Sequence, residues 1–116
     1  MWLFTTFGFF SIVQKQNDSF LTVRARAAAD LDRLRQDFMP ELSEIIIGGG
    51  TDYPYRATIN HKDFSRGLAK LGLALDYSNF KAEVHKKMDY ERASIYGDVW
   101  SALLKLERIK DQELDR

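Results

Sequence analysis

Residues 44–60, E-I-I-I-G-G-G-T-D-Y-P-Y-R-A-T-I-N, place the tightest limit on the fold. Ile45, Ile46 and Ile47 are a β-branched run suited to a pleated, buried surface. Gly48, Gly49, Gly50, Thr51 and Asp52 then supply the permissive dihedrals and local side-chain bonding of a turn. Beyond them the chain alternates, with Tyr53, Tyr55, Ala57 and Ile59 on one face and Arg56, Thr58 and Asn60 on the other. This pattern predicts a β-hairpin at the middle of the fold. Pro54 has no N–H for a ladder, so the last strand lies at an edge or begins after it.

Two further stretches read as strands. Residues 2–15 are dense in Phe, Thr, Ile and Val, with Leu3, Thr5, Phe7, Phe9, Ser11 and Val13 on one face. Phe4, Thr6, Gly8, Phe10, Ile12 and Gln14 fall on the other, and Gly8 marks a bulge or bend. A polar turn at Gln16, Asn17, Asp18 and Ser19 leads into residues 20–26, where Leu21, Val23 and Ala25 point inward and Thr22, Arg24 and Arg26 outward. The period then changes to helical. Leu31, Leu34 and Phe38 form a buried stripe over residues 27–38, Asp30, Asp32, Arg33 and Arg35 take the solvent side, and Pro40 stops the helix.

After the hairpin, Asn60 is a candidate N-cap with Asp63 three residues on, ahead of the stripe Phe64, Leu68, Leu71 and Leu75. Asp76, Tyr77, Ser78 and Asn79 break that pattern and can cap a further helix carrying Phe80, Val84 and Met88. A last helix over about residues 91–110 is expected to bury Ile95, Val99, Leu103 and Leu106 with Trp100 alongside, and residues 111–116 are expected to fray. The order ββαββα plus C-terminal helices predicts a single α+β domain over residues 1–116. Its architecture is a two-layer sandwich with a four-stranded, mainly antiparallel sheet and ferredoxin-like-type packing. A right-handed crossover through the first helix leaves two strand orders, 2-1-3-4 and 1-2-4-3.

Composition removes several function classes. With 116 residues and 17 basic against 17 acidic side chains, the chain can bury a core and has no charge excess to attract nucleic acid or anionic membranes. It has no cysteine, which excludes disulfides, thiolate metal sites and a cysteine nucleophile, and favours a cytoplasmic setting. The apolar run at residues 1–13 precedes its first basic residue, Lys15, and is shorter than the roughly 20 residues of a membrane span, so it reads as a strand rather than a targeting segment.

Candidate chemistry is sparse. The three glycines invite a phosphate-loop reading, but no G-K-S or G-K-T follows and a strand replaces the helix, so a hairpin loop accounts for them. His61 and His85 are the only histidines and lack metal-ligand spacing. An acid–base role for His61 oriented by Asp52 or Asp63, with Arg56 holding an anion, is an alternative near the Gly48 to Asp52 loop. Arg24, Arg26 and Arg56 would project from one sheet face near Phe4 or Phe10, as in single-strand binders, although with no basic excess a solvated face, and after it a subunit interface, suits them better. No catalytic residue, metal or cofactor is assigned.

The runs W-L-F-T-T-F-G-F-F-S-I-V-Q at residues 2–14, V-R-A-R at residues 23–26 and D-Y-P-Y-R at residues 52–56 resemble a small bacterial family of uncharacterised single-domain proteins. That resemblance implies a free-standing protein of about this length and carries over no activity, cofactor or partner. The function expected is a homo-oligomeric or protein-interaction module without a membrane partner. Nucleic-acid or phosphate-ligand binding through Arg24, Arg26 and Arg56 is the alternative, and a small enzyme using Asp52 and His61 the second.

Overall fold

A computed structural model describes residues 1–48 and 52–109. It is an α+β protein whose backbone contacts divide the chain into two compact units, Met1–Asp76 and Tyr77–Arg116. The first holds β1 (Trp2–Thr5), β2 (Gly8–Val13), β3 (Leu21–Ala25), α1 (Ala28–Asp37), β4 (Ile46–Ile47), β5 (Tyr55–Ile59) and α2 (His61–Leu73). The second holds α3 (Phe80–Lys87) and α4 (Tyr90–Leu103).

The five strands form one antiparallel sheet in the order β1-β2-β3-β5-β4. Counting the first stretch as one strand, this is the 1-2-4-3 order. Strands β3 and β4 run in the same direction with β5 between them, so α1 makes a split β-α-β crossover. Helices α1 and α2 share one sheet face: Leu31, Leu34 and Phe64 join Phe10, Ile12, Val23, Ala25, Ala57 and Ile59 in a single core. A Cβ on Gly67 would fall 2.4 Å from Met39 Cγ, and that bare position lets α2 settle on the buried chain end of α1.

Residues 2–15 make two strands, not one. The chain reverses through Thr6 and Phe7, pairing Phe4 with Phe9 and Leu3 with Phe10. Neither turn residue has positive φ, so the loop is not the primed type that an Asn-Gly pair would announce. Thr5 holds it instead, its Oγ1 donating to Gly8 O at 2.8 Å and accepting from Phe7 N at 3.2 Å. In such a hairpin, facing residues have odd and even numbers, so face membership changes parity across the turn. Leu3, Phe10 and Ile12 therefore reach the core, while Phe4 and Phe9 share the opposite face.

Tertiary packing accounts for the other corrections. The β4–β5 hairpin forms, with Ile47 opposite Tyr55, but β4 is the outer edge of the sheet and Ile47 is 78% exposed. Strand β5 begins immediately after Pro54, at Tyr55. Leu75 lies beyond the end of α2 and is exposed. Asp30 is only 2% exposed, not on the solvent side, because it serves the hairpin. Its Oδ2 accepts Phe9 N at 3.0 Å and its Oδ1 accepts Arg33 Nη2 at 2.7 Å, while Arg33 Nε donates to Phe7 O at 2.8 Å. The caps at Asn60 and Asn79 form as expected, accepting Asp63 N and Ala82 N at 2.8 Å each. The expected fraying of residues 111–116 lies outside the described residues.

Gly8 touches this cluster directly, since a Cβ there would lie 2.8 Å from Asp30 Cβ and Cγ and 2.9 Å from Phe10 Cζ. Gly8→Ala is therefore expected to lower stability by about 1–3 kcal/mol through overpacking, read as a lower urea midpoint at unchanged slope. Asp30→Ala should cost about as much by stranding the Phe9 donor, and Asp30→Asn less because its amide oxygen can still accept. Equal losses for the two Asp30 variants would show that the Phe9 bond contributes nothing.

Candidate functional site

Arg24 and Arg56 do share the sheet face opposite α1, as the alternation in β3 and β5 requires, and Arg26, the residue after β3, reaches the same face. Arg24 and Arg56 are directly cross-strand, an unfavourable placement for like charges. The two side chains part. Arg24 Nη2 donates to Ser11 Oγ at 2.6 Å on the neighbouring strand, and its guanidinium carbon sits 4.7 Å from the ring centre of Tyr53. Arg26 also lies 4.7 Å from that centre and donates from Nη1 to the Asp52 carbonyl at 2.7 Å. Arg56 Nε reaches back to Tyr53 O at 3.4 Å.

Tyr53 is the residue that the alternation misassigned. Counted with Tyr55 and Ala57 it belongs to the core face, yet it is buried on the other face, against Arg24, Arg26 and Phe9. Pro54 explains the change: the residue before a proline is held extended and out of the ladder, so parity cannot be counted through it. Trp2, Phe4 and Phe9 continue the aromatic surface on β1 and β2, with Phe4 and Phe9 ring centres 4.5 Å apart. Phe10 is on the core side.

Beside Arg56 the same face carries a half-open groove of about 360 Å³, lined by Lys15, Asp18, Phe20, Thr22, Arg56 and Thr58 among others. Of the five candidate binding residues, Arg56 is the one that lines it. Asp52 meets Arg26 through its backbone carbonyl, and His61 stands at the start of α2 with Nε2 3.0 Å from Gln14 Oε1. Gly49, Gly50 and Thr51, on which the phosphate-loop reading rests, lie outside the described residues. Among the described residues no group of three His, Asp or Glu side chains is placed to hold a metal ion.

The second unit presents a different surface. Helix α4 packs against α3 through Ala93, Tyr96 and Gly97, with Tyr96 stacked on Phe80 at 5.8 Å and Gly97 so close to Lys81 that a Cβ would lie 3.3 Å from its Nζ. Small residues at that contact let the two helices approach, and the large apolar stripe is turned away. Ile95, Leu103 and Leu106, expected to be buried, are 59%, 53% and 56% exposed, and Trp100 is exposed beside them. At roughly 100° per residue this stripe lies about a third of a turn from the packed side. Apolar periodicity found the stripe but could not say which side α3 would take.

No helix among the described residues is long and apolar enough to cross a membrane. Comparison of the chain with protein-family models, curated proteins and solved structures finds no match. The functional reading therefore rests on these surfaces.

Because two guanidiniums and Phe9 converge on one buried ring, Tyr53→Leu removes two cation–π contacts worth about 0.5–1 kcal/mol each while keeping most apolar volume. A loss of about 1–2 kcal/mol in urea denaturation is expected, and an unchanged midpoint would show that the arginines gain nothing from the ring.

Proposed function

We propose that the chain is a small protein-interaction module that self-associates, and that the contact surface is the exposed side of α4. The observation that carries this reading is the pair Ile95 and Leu103, apolar and exposed on a side of α4 that its packing contacts do not use, continued by the exposed Leu106 in the helical turn beyond it. Contiguous apolar surface of this kind is costly in water and marks association sites. The exposed Ile46 and Ile47 at the β4 edge do not compete well as a contact surface, because two residues offer too short a ladder to extend the sheet. The cytoplasmic setting belongs to the same proposal and rests on the cysteine-free composition, as the bacterial source rests on the resemblance alone.

A second reading is favoured by the groove beside Arg56. Two cations, Lys15 and Arg56, outnumber the one carboxylate, Asp18, and with the hydroxyls of Thr22 and Thr58 suit a small phosphate or carboxylate ligand. This is narrower than the three-arginine surface, since Arg24 and Arg26 are engaged by Tyr53, Ser11 and Asp52. Titration with inorganic phosphate at low salt should raise the melting temperature of the native chain and leave Arg56→Ala unmoved. Equal shifts in both would remove the reading.

Self-association is checked by sedimentation over a range of concentrations. The native chain is expected to run heavier than its 13.5 kDa, and Leu106→Glu to run as a monomer with an unchanged circular dichroism spectrum. A native chain that stays monomeric at every concentration overturns the proposal.

A further inference from the structure

We infer that the partner on α4 is the α4 of a second copy of this chain, running antiparallel; this rests on the self-association proposed above. Ile95, Val99, Ala102, Leu106 and Ile109 succeed one another at intervals of four, three, four and three residues, the spacing of a helix-pair seam. The helical turn tightens after Leu103, where Leu104 N and Lys105 N bond to the carbonyls three residues back, and residues 106–109 are helical again. The seam is therefore about 20 Å long, set by the helical rise.

Charge chooses the direction. Asp98 and Lys105 flank the seam on the same edge, seven residues apart, and both are exposed. Neither has an ion-pair partner within the chain among the described residues. In an antiparallel pair about a two-fold axis between Ser101 and Ala102, each Asp98 faces the Lys105 of the second copy, giving two equivalent ion pairs. A parallel pair instead sets Asp98 opposite Leu103 on the adjoining flank and leaves both charges unmatched. Ala102 falls at the crossing, where a small side chain allows close approach of the backbones. The opposite flank carries Leu103, which is apolar and exposed and extends the buried contact.

The chain lacks cysteine, so single cysteines report the geometry without background. Ala102→Cys, next to the axis, is expected to form a disulfide-linked dimer under mild oxidation. Ile95→Cys is expected not to, because its two copies would stand about 20 Å apart along the pair. Crosslinking of both variants would establish a parallel pair and overturn the inference. Charge reversal gives an independent readout. Asp98→Lys and Lys105→Asp should each weaken dimerisation about tenfold or more, and the double reversal should restore it to within a few-fold of the native chain. Dimerisation that ignores single reversals, or a double reversal no better than either, overturns the antiparallel geometry while leaving self-association standing. A native chain found monomeric removes both.

Discussion

The carboxylate of Asp30 organises the first unit. It is almost fully buried, accepts the backbone N–H of Phe9 and is held by Arg33, which also binds the Phe7 carbonyl. One turn of α1 therefore clamps the β1–β2 reversal at Phe7 in the turn and at Phe9 in β2. An ionised side chain in this position would be costly alone, and each contact here offsets part of its lost hydration. The clamp needs Gly8, since any Cβ at that position would overlap Asp30. Helix, hairpin and glycine thus depend on one another.

The clamped reversal sets the composition of both sheet faces. With the chain reversed at Thr6 and Phe7, the aromatics divide, Phe10 into the core and Phe4 and Phe9 onto the opposite face. There they meet Tyr53, which in turn receives Arg24 and Arg26. Two arginines that looked available for an outside ligand are largely occupied within the protein. The like-charged cross-strand pair Arg24 and Arg56 is relieved by their parting, one toward Ser11 and Tyr53 and the other toward the groove.

Legibility in the sequence varied with the range of the cause. The caps at Asn60 and Asn79, the stop before Pro40, the helical periods of α1 and α3 and the start of β5 after Pro54 were all readable, because residues a few positions apart decide them. The position of Arg24 and Arg56 on one face was readable too, through alternation inside continuous strands. Tyr53 was not, because Pro54 interrupts the count. Asp30 was not, because its partner lies on a strand 21 residues away in sequence. The apolar stripe on α4 was visible, but its exposure was hidden.

Sequence was enough for the α+β class, the antiparallel 1-2-4-3 arrangement as one of two choices, and the helix starts to within a few residues, although α4 ends at Leu103 rather than near residue 110. These rest on period, propensity and capping, which are local properties of the chain. The tertiary structure alone decided that the first strand folds back on itself, that the isoleucine run borders the sheet, and that α4 turns Ala93 and Gly97 rather than its leucines toward α3. In each case several placements satisfy the local pattern equally well. The choice goes to whichever contact between distant residues packs closely and leaves the fewest buried polar groups without partners.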